Sequence, residues 1–197
     1  MLDADWLAPR QAFAEALIPL YAHAQAVFAE RYRSALEPRL MEVCEGFAAL
    51  APKWFRHSFP RHAIIHGDFR LDNLLFDVRG GAEPIVVLDW QTAAAGDPLT
   101  DVGYFMGCGI GETLRGAHES ELLAHYREEM AQYGVNIQDA DFSRGYRLGA
   151  LHGVATAVFS AAHVERTERG DENFLSMARG ACSLALSAGS LAALAEE

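Results

Sequence analysis

Near the start of the chain, apolar residues recur at every third or fourth position, the spacing of one face of an α-helix. This pattern predicts a helix over residues 10–34. A second helix, which begins with a proline at its first position, is predicted over residues 38–50. Two further prolines predict a loop over residues 52–60 that carries Lys53 and Trp54. The first 60 residues are therefore expected to be mainly helical.

Three short apolar runs of strand length follow, over residues 63–66, 73–77 and 85–89. The last two are separated by the sequence VRGGAEP, whose paired glycines and proline are typical of a turn. These two runs are therefore predicted to form a β-hairpin.

The chain after Pro98 returns to helical patterning. Asp97 is placed to cap a helix that has Pro98 at its first position. The glycine-rich sequence GCGIGE, residues 107–112, is expected to be a loop between helices. Helices are predicted over residues 99–106, 119–133, 141–164 and 173–194. The predicted fold class is α+β, mainly α.

Composition narrows the possible partners. Hydrophobic residues make up 51% of the 197 residues, so the chain is expected to fold around one core as a single domain. The formal charge of −11 argues against a nucleic-acid-binding surface. The most apolar window is too short and too mixed to span a bilayer, so no membrane segment is expected. The three cysteines lie more than 60 residues apart, which suits a reducing, cytoplasmic location.

Candidate chemistry is concentrated around the predicted strands. Asp68 and Asn73 lie five residues apart on one loop, and Asp89 ends the strand that follows. Phosphoryl transfer requires a carboxylate beside the acceptor hydroxyl, together with oxygen ligands for the Mg²⁺ that bridges the phosphates. The three residues are therefore predicted to converge on one cleft.

The order of these motifs is similar to that of a known family. His66–Asn73 has the pattern H-G-D-x-x-x-x-N, an apolar strand then ends in L-D-W, and G-D-P-x-x-D follows. This order resembles the aminoglycoside phosphotransferase and choline kinase-like family, whose catalytic lobe is related to that of the protein kinases. The resemblance is strong over residues 64–105. It implies the C-terminal catalytic lobe of an ATP- and Mg²⁺-dependent enzyme that phosphorylates a small-molecule hydroxyl.

The resemblance also implies a role for each matching position. The expected roles are catalytic base for Asp68, phosphate contact for Arg70, metal ligands for Asn73 and Asp89, adenine contact for Leu75, and structural support of the loop for His66, Asp97 and Asp101. Arg70 is as readily interpreted as a surface salt-bridge partner, and Asp97 as a helix cap. The implied divisions are a helical lead-in over residues 1–60, the catalytic and metal motifs over 61–105, and a helical substrate-side subdomain over 106–197.

The family's nucleotide-binding β-lobe has no visible counterpart in the sequence. That lobe supplies a glycine-rich flap and a strand lysine, whereas Lys53 is the only lysine here and follows two predicted helices. Three interpretations stay open: a fragment of a small-molecule kinase, a non-catalytic binding or interaction module, and an enzyme that receives its β-lobe from another chain. On its own the chain is expected to bind ATP weakly, and to form a homodimer that covers the apolar surface around Leu74 and Leu75.

The sequence does not indicate which small molecule would accept the phosphoryl group. In the family, the acceptor pocket is built by the helices that follow the metal-binding aspartate. The candidate lining residues here are Tyr126, Tyr146, Arg147, His152 and Phe159.

Overall fold

The computed structural model describes residues 10–59 and 63–197. The elements, in chain order, are α1 Ala14–Tyr32, α2 Pro38–Arg56, β1 Ala63–Ile65, β2 Leu74–Asp77, β3 Glu83–Val87, β4 Ala94–Gly96, α3 Leu99–Tyr104, α4 Gly111–Gln132, α5 Asp139–His163, α6 Glu168–Ala188 and α7 Ser190–Ala195. The predicted α+β, mainly α fold class is confirmed.

The main core lies between α1, α2, α5 and α6. Helix α5 is apolar around most of its circumference, as expected of a helix with neighbours on several sides, and Leu151, Val154 and Val158 are inaccessible to solvent. Aromatic rings from the first two helices fill the space beside it, and Phe47 and Trp54 meet edge to face with their centroids 5.4 Å apart. These helices form the rigid base on which the smaller β elements rest.

The loop predicted over residues 52–60 is wrong in its first half, because α2 continues to Arg56 with Pro52 inside it. Proline in a helix removes one backbone hydrogen bond. Against that loss, the extra turn buries Trp54 and Phe55, and the Trp54 indole N–H donates to the Leu148 carbonyl at 3.1 Å. Tertiary packing therefore outweighs the local signal.

The predicted loop over residues 107–112 is also wrong in part. Phe105–Gly109 forms a turn of π-helix, and α4 begins at Gly111, well before residue 119. The buried Arg115 accounts for the early start, because its guanidinium donates to the Met106 and Gly180 carbonyls and ties the first turns of α4 to α6.

The last predicted helix is divided in two. Helix α6 begins early because Thr167 caps it, its hydroxyl oxygen accepting the Gly170 N–H at 3.0 Å. The helix ends where Gly189 takes a left-handed conformation, with φ at 67°, and α7 follows.

Two antiparallel pairs of strands carry the candidate motifs. The predicted hairpin is confirmed, with Leu74 opposite Val87 and Phe76 opposite Ile85. Strand β4 was not predicted, and it pairs with β1 so that Ile65 faces Ala94. The loop that contains Asp68 is thus held between two small sheets. No helix within the described residues is long and apolar enough to cross a membrane.

Candidate active site

Asp68 is held by donors on both of its carboxylate oxygens. The Asn73 amide donates to Oδ2 at 2.9 Å, and the Tyr104 hydroxyl donates to Oδ1 at 2.7 Å. Tyr104 is fully buried, and burial raises its phenol pKa above the ordinary value, so the hydroxyl stays a donor. The side chain of Asp68 itself remains partly open to solvent. A fixed but accessible carboxylate is what a general base requires.

The backbone before Asp68 is clamped by the carboxylate of Asp101 at the start of α3. One of its oxygens accepts the His66 N–H at 2.6 Å and the other accepts the Gly67 N–H at 2.9 Å. The hydroxyl of Thr92 donates to the His66 carbonyl at 2.7 Å from the opposite side. The position of the Asp68 backbone is therefore set by two other segments of the chain.

The imidazole of His66 joins this loop to the segment before Asp89. Its Nε2 lies 2.7 Å from the Leu88 carbonyl oxygen, and its Nδ1 lies 3.2 Å from the Asp68 amide nitrogen. Since the carbonyl only accepts and the amide only donates, the ring carries its proton on Nε2. The buried imidazole therefore links the segment that carries the predicted base, Asp68, to the segment that carries the predicted metal ligand, Asp89.

Asn73 presents its amide oxygen away from Asp68. Its Nδ2 donates both to the Asp68 carboxylate and to the Asp68 carbonyl at 2.8 Å, and neither of those oxygens can donate in return. Oδ1 is consequently the atom of this side chain that is available to coordinate a cation. The Leu88 N–H donates to the Asn73 carbonyl at 2.8 Å, which holds the two segments side by side.

Asp89 lies on the exposed surface directly after this contact. Its backbone is left-handed, with φ at 61° and ψ at 56°, a conformation that aspartate adopts more readily than most residues. Within the described residues, no three His, Cys, Asp or Glu side chains are grouped so that they alone would hold a metal ion. A cation here would need the amide oxygen of Asn73 as well as the carboxylate.

Arg70 and the remaining predicted positions occupy distinct places around the loop. The guanidinium of Arg70 lies 3.5 Å from the Asp68 carboxylate and 3.2 Å from that of Asp72. Leu75 is half exposed on the hairpin, whereas Leu74, which was expected to share an exposed apolar surface with it, is buried. Asp97 is buried and accepts the Leu99 N–H at 2.9 Å, the contact of a capping side chain.

A cavity of about 450 Å³ opens beside Asp68. Its walls come from the loop that contains Asp68, β4, α5 and α6, and the residues before α1. The lining residues include Phe13, Phe59, Thr156, Ser160, Phe174 and Met177. Its volume is within the range of small-molecule sites, about 300–1,000 Å³.

Of the five residues predicted to line an acceptor pocket, His152 lines this cavity, and its Nε2 lies 2.7 Å from the Gly67 carbonyl oxygen. The other four do not. Tyr126 and Phe159 line separate cavities. Tyr146 donates to Glu119, and Arg147 binds the Ala188 and Gly189 carbonyls at the end of α6. Helical spacing alone does not show which face of a helix is turned toward the loop.

Comparison with known proteins identifies the family. The family model described as phosphotransferase enzyme family matches residues 3–134, about two thirds of the chain. The chain belongs to this family. The family lies within the protein-kinase-like superfamily, so the resemblance drawn from residues 64–105 is confirmed.

Relatives of this phosphotransferase-family chain match over shorter stretches. Mouse acyl-CoA dehydrogenase family member 10 is 46% identical over 55 residues, 26% of this chain and 5% of the relative. Chicken acyl-CoA dehydrogenase family member 11 is 41% identical over 56 residues, 26% of this chain and 7% of the relative. Rat family member 11 is 28% identical over 124 residues, 54% of this chain and 16% of the relative. The matches thus span a small part of these relatives' length. No solved structure matches the chain significantly.

Lys53 does not replace the strand lysine of a family member. It lies in α2, and its ammonium group donates to the Ala195 carbonyl at 2.7 Å, at the end of α7. Within residues 10–59, before the first described strand, the chain is helical or irregular and offers no strand lysine.

Tyr104, Thr92 and Met177 are parts of the site that the motifs did not indicate. Tyr104 lies 36 residues after Asp68, and Met177 comes from a helix more than 100 residues away. One signal was present for Tyr104: it lies three residues after Asp101, on the same face of the helix that clamps the loop.

Proposed function

We propose that the chain is the catalytic lobe of an ATP- and Mg²⁺-dependent phosphotransferase that acts on the hydroxyl of a small molecule. Membership of the phosphotransferase family supports the reaction class. The observation that carries the proposal is the Asp68 carboxylate, held by Asn73 and Tyr104 at the edge of a cavity of small-molecule size.

In this proposal Asp68 orients the acceptor hydroxyl and takes its proton. The acceptor oxygen forms a bond to the γ-phosphorus of ATP, the bond from that phosphorus to the bridging oxygen breaks, and ADP leaves. The donors on Asp68 keep its carboxylate turned toward the cavity. Arg70, beside the same carboxylate, contacts the transferred phosphoryl group.

Asn73 and Asp89 would hold the Mg²⁺ ion. The fit is supported by the chemistry of the two side chains, because a free amide oxygen and an exposed carboxylate are the hard ligands that Mg²⁺ prefers, with water in the remaining positions. When bound, the ion would neutralise negative charge on the phosphates. Leu75, on the exposed hairpin, would lie against the adenine.

The flap and the lysine are proposed to come from a polypeptide segment outside the described residues, because Lys53 is engaged at the end of α7. The alternative is that the chain serves as an interaction module, which the exposed apolar hairpin favours. A cytoplasmic location is part of the proposal. It is supported by the wide spacing of the three cysteines along the sequence, which suits a reducing compartment.

Asp68→Asn tests the proposal directly. The amide has nearly the same shape but cannot take a proton, so phosphoryl transfer from ATP to an alcohol should fall about 10²–10⁴-fold. The measurement is transfer of labelled phosphate across a panel of small alcohols.

Asp72→Asn is the matched control, since Asp72 also pairs with Arg70 but is largely exposed. It should keep most of the activity. Equal rates for wild type and Asp68→Asn would contradict the proposed base. Absence of transfer in both, with retained folding, would favour the interaction module.

A further inference from the structure

The composition of the cavity beside Asp68 points to a class of acceptor. Away from the catalytic loop its surface is mostly apolar: Phe13, Phe59, Ile65, Ala94, Ala95 and Phe174 all line it. The polar groups among them include the imidazoles of His57 and His152 and the hydroxyls of Thr156 and Ser160, which lie one turn apart on α5. A largely apolar wall with a few hydrogen-bonding groups suits a ligand of the same character.

The carboxylate in the described lining of the cavity is already paired. Of the lining residues within the described part of the chain, Asp68 is the one carboxylate, and Arg70 lies 3.5 Å from it. A ligand with several positive charges would lose hydration on entry and find no further acidic partner, which is unfavourable. Most of the negative charge of the chain therefore lies outside this cavity and does not make it a binding site for cations.

Met177 connects the apolar part of the cavity to the reacting groups. Its side chain is buried, and its sulfur lies 3.7 Å from an Arg70 guanidinium nitrogen and 3.7 Å from the Asn173 amide nitrogen. Phe174 lies three positions earlier, on the same face of α6. A ligand body packed against these two side chains would be positioned with its hydroxyl near Asp68.

We infer that the part of the acceptor held in this cavity, next to the reacting hydroxyl, is uncharged and largely apolar. The inference rests on the proposed function, since it takes the cavity as the acceptor site. It excludes polycationic aminosugars and quaternary ammonium alcohols as preferred ligands. Phe174 and Met177 are the residues that set this specificity.

Binding to the whole 197-residue chain without nucleotide tests the inference separately from catalysis. The probes are cyclohexylmethanol, benzyl alcohol, choline and the aminoglycoside kanamycin, and their binding is followed by ligand-observed NMR. The two neutral probes should bind, and Phe174→Glu should weaken them at least tenfold, because it places a charge in the apolar wall.

Ser176→Glu is the matched control, because it adds the same charge to an exposed position of the same helix. It should leave binding unchanged. If Phe174→Glu fails to fold, Ala95→Phe, which fills the cavity from β4, should abolish binding instead.

Tighter binding of choline or kanamycin, lost in Ala95→Phe, would overturn the inference. So would neutral probes that fail to bind, or that bind equally well to both cavity variants. These outcomes are independent of Asp68→Asn. If no phosphoryl transfer is found, the binding of the neutral probes can still support the inference about the cavity. If the chain transfers phosphate but prefers a polycationic acceptor, the inference fails and the proposed phosphotransferase function stands.

Discussion

Gly67 shows how closely the residues around Asp68 are packed. Its φ is +80°, and a Cβ added there would lie 2.6 Å from the Thr92 carbonyl oxygen, a backbone atom that cannot easily move. Glycine is therefore required both by the backbone conformation and by the neighbouring strand connection.

Gly67→Ala is expected to destabilise the fold by at least about 1–3 kcal/mol, the usual cost of a strained backbone alone, and to lower activity by shifting Asp68. Thermal unfolding measures the first effect. Gly116→Ala is the control, because Gly116 lies inside α4 with open space around it. That change should stabilise by about 0.5–1 kcal/mol, and equal effects of the two would refute the packing argument.

Tyr104→Phe removes the hydroxyl that donates to Asp68, so the free energy of unfolding should fall by about 0.5–1.5 kcal/mol. We also expect a lower kcat with little change in KM. Burial, reinforced by the negative charge of Asp68, raises the Tyr104 pKa above its ordinary 10.0. The stability that this group contributes is thus complete below about pH 10 and is lost as pH rises further toward the folded-state pKa.

Urea unfolding at several pH values checks this. The gap in unfolding free energy between wild type and Tyr104→Phe should narrow above about pH 10. Tyr133→Phe, at an exposed position, should match wild type throughout. A gap that widens at high pH would be inconsistent with a buried phenol donor.

At the scale of elements, helix α3 joins the loop around Asp68 to the core, where the side chains of Leu99 and Tyr104 are fully buried. It is six residues long, and its first turn carries Asp101, which accepts two backbone N–H groups of the preceding loop. Asp97 follows strand β4 directly, and its carboxylate accepts the Leu99 N–H, which fixes where this helix begins. Loop, strand and helix thus form one unit around Asp68.

Asp101→Asn tests this unit. An amide offers one acceptor oxygen and turns an NH₂ group toward the other backbone N–H, so one donor loses its partner, at a cost of about 1–3 kcal/mol. We expect a lower melting temperature and a lower kcat. Asp72→Asn, exposed and outside the clamp, should change neither property by much. A variant as stable and active as wild type would show that the clamp is dispensable.

The sequence predicted elements where local signals and tertiary packing agree. The hairpin has paired glycines between two apolar runs, and both signals hold in the structure, although Pro84 lies inside β3 and not in the turn. Strand β4 is Ala-Ala-Gly, which has little strand tendency, and it is extended because β1 pairs with it. Pro52 gave a loop signal, but the burial of Trp54 overrode it. The contact between Tyr104 and Asp68 joins residues 36 positions apart, and its one local signal is that Tyr104 lies three residues after Asp101.

At the scale of the whole molecule, the hairpin exposes several large apolar side chains. Leu75, Phe76 and Ile85 are 45%, 59% and 47% exposed, although they are large apolar side chains. Neighbouring exposed apolar residues of this kind usually mark a surface that another body covers.

We therefore expect the isolated chain to self-associate through the hairpin, and Phe76→Ser to reduce that association. Light scattering across a dilution series measures it, with circular dichroism to confirm folding. Leu20→Ser removes a comparably exposed apolar side chain from α1 and should leave association unchanged. A wild-type chain that stays monomeric at every concentration would contradict this expectation.

The left-handed backbone at Asp89 has a consequence for how this lobe can change in evolution. Most residues would be strained at φ 61°, whereas asparagine and glycine tolerate it, and each is one nucleotide substitution away from aspartate. If Asp89 holds the metal as proposed, the substitutions that the backbone tolerates best are also those that remove the carboxylate. Descendants of this gene could therefore lose catalysis in one step and keep a folded, ligand-binding protein.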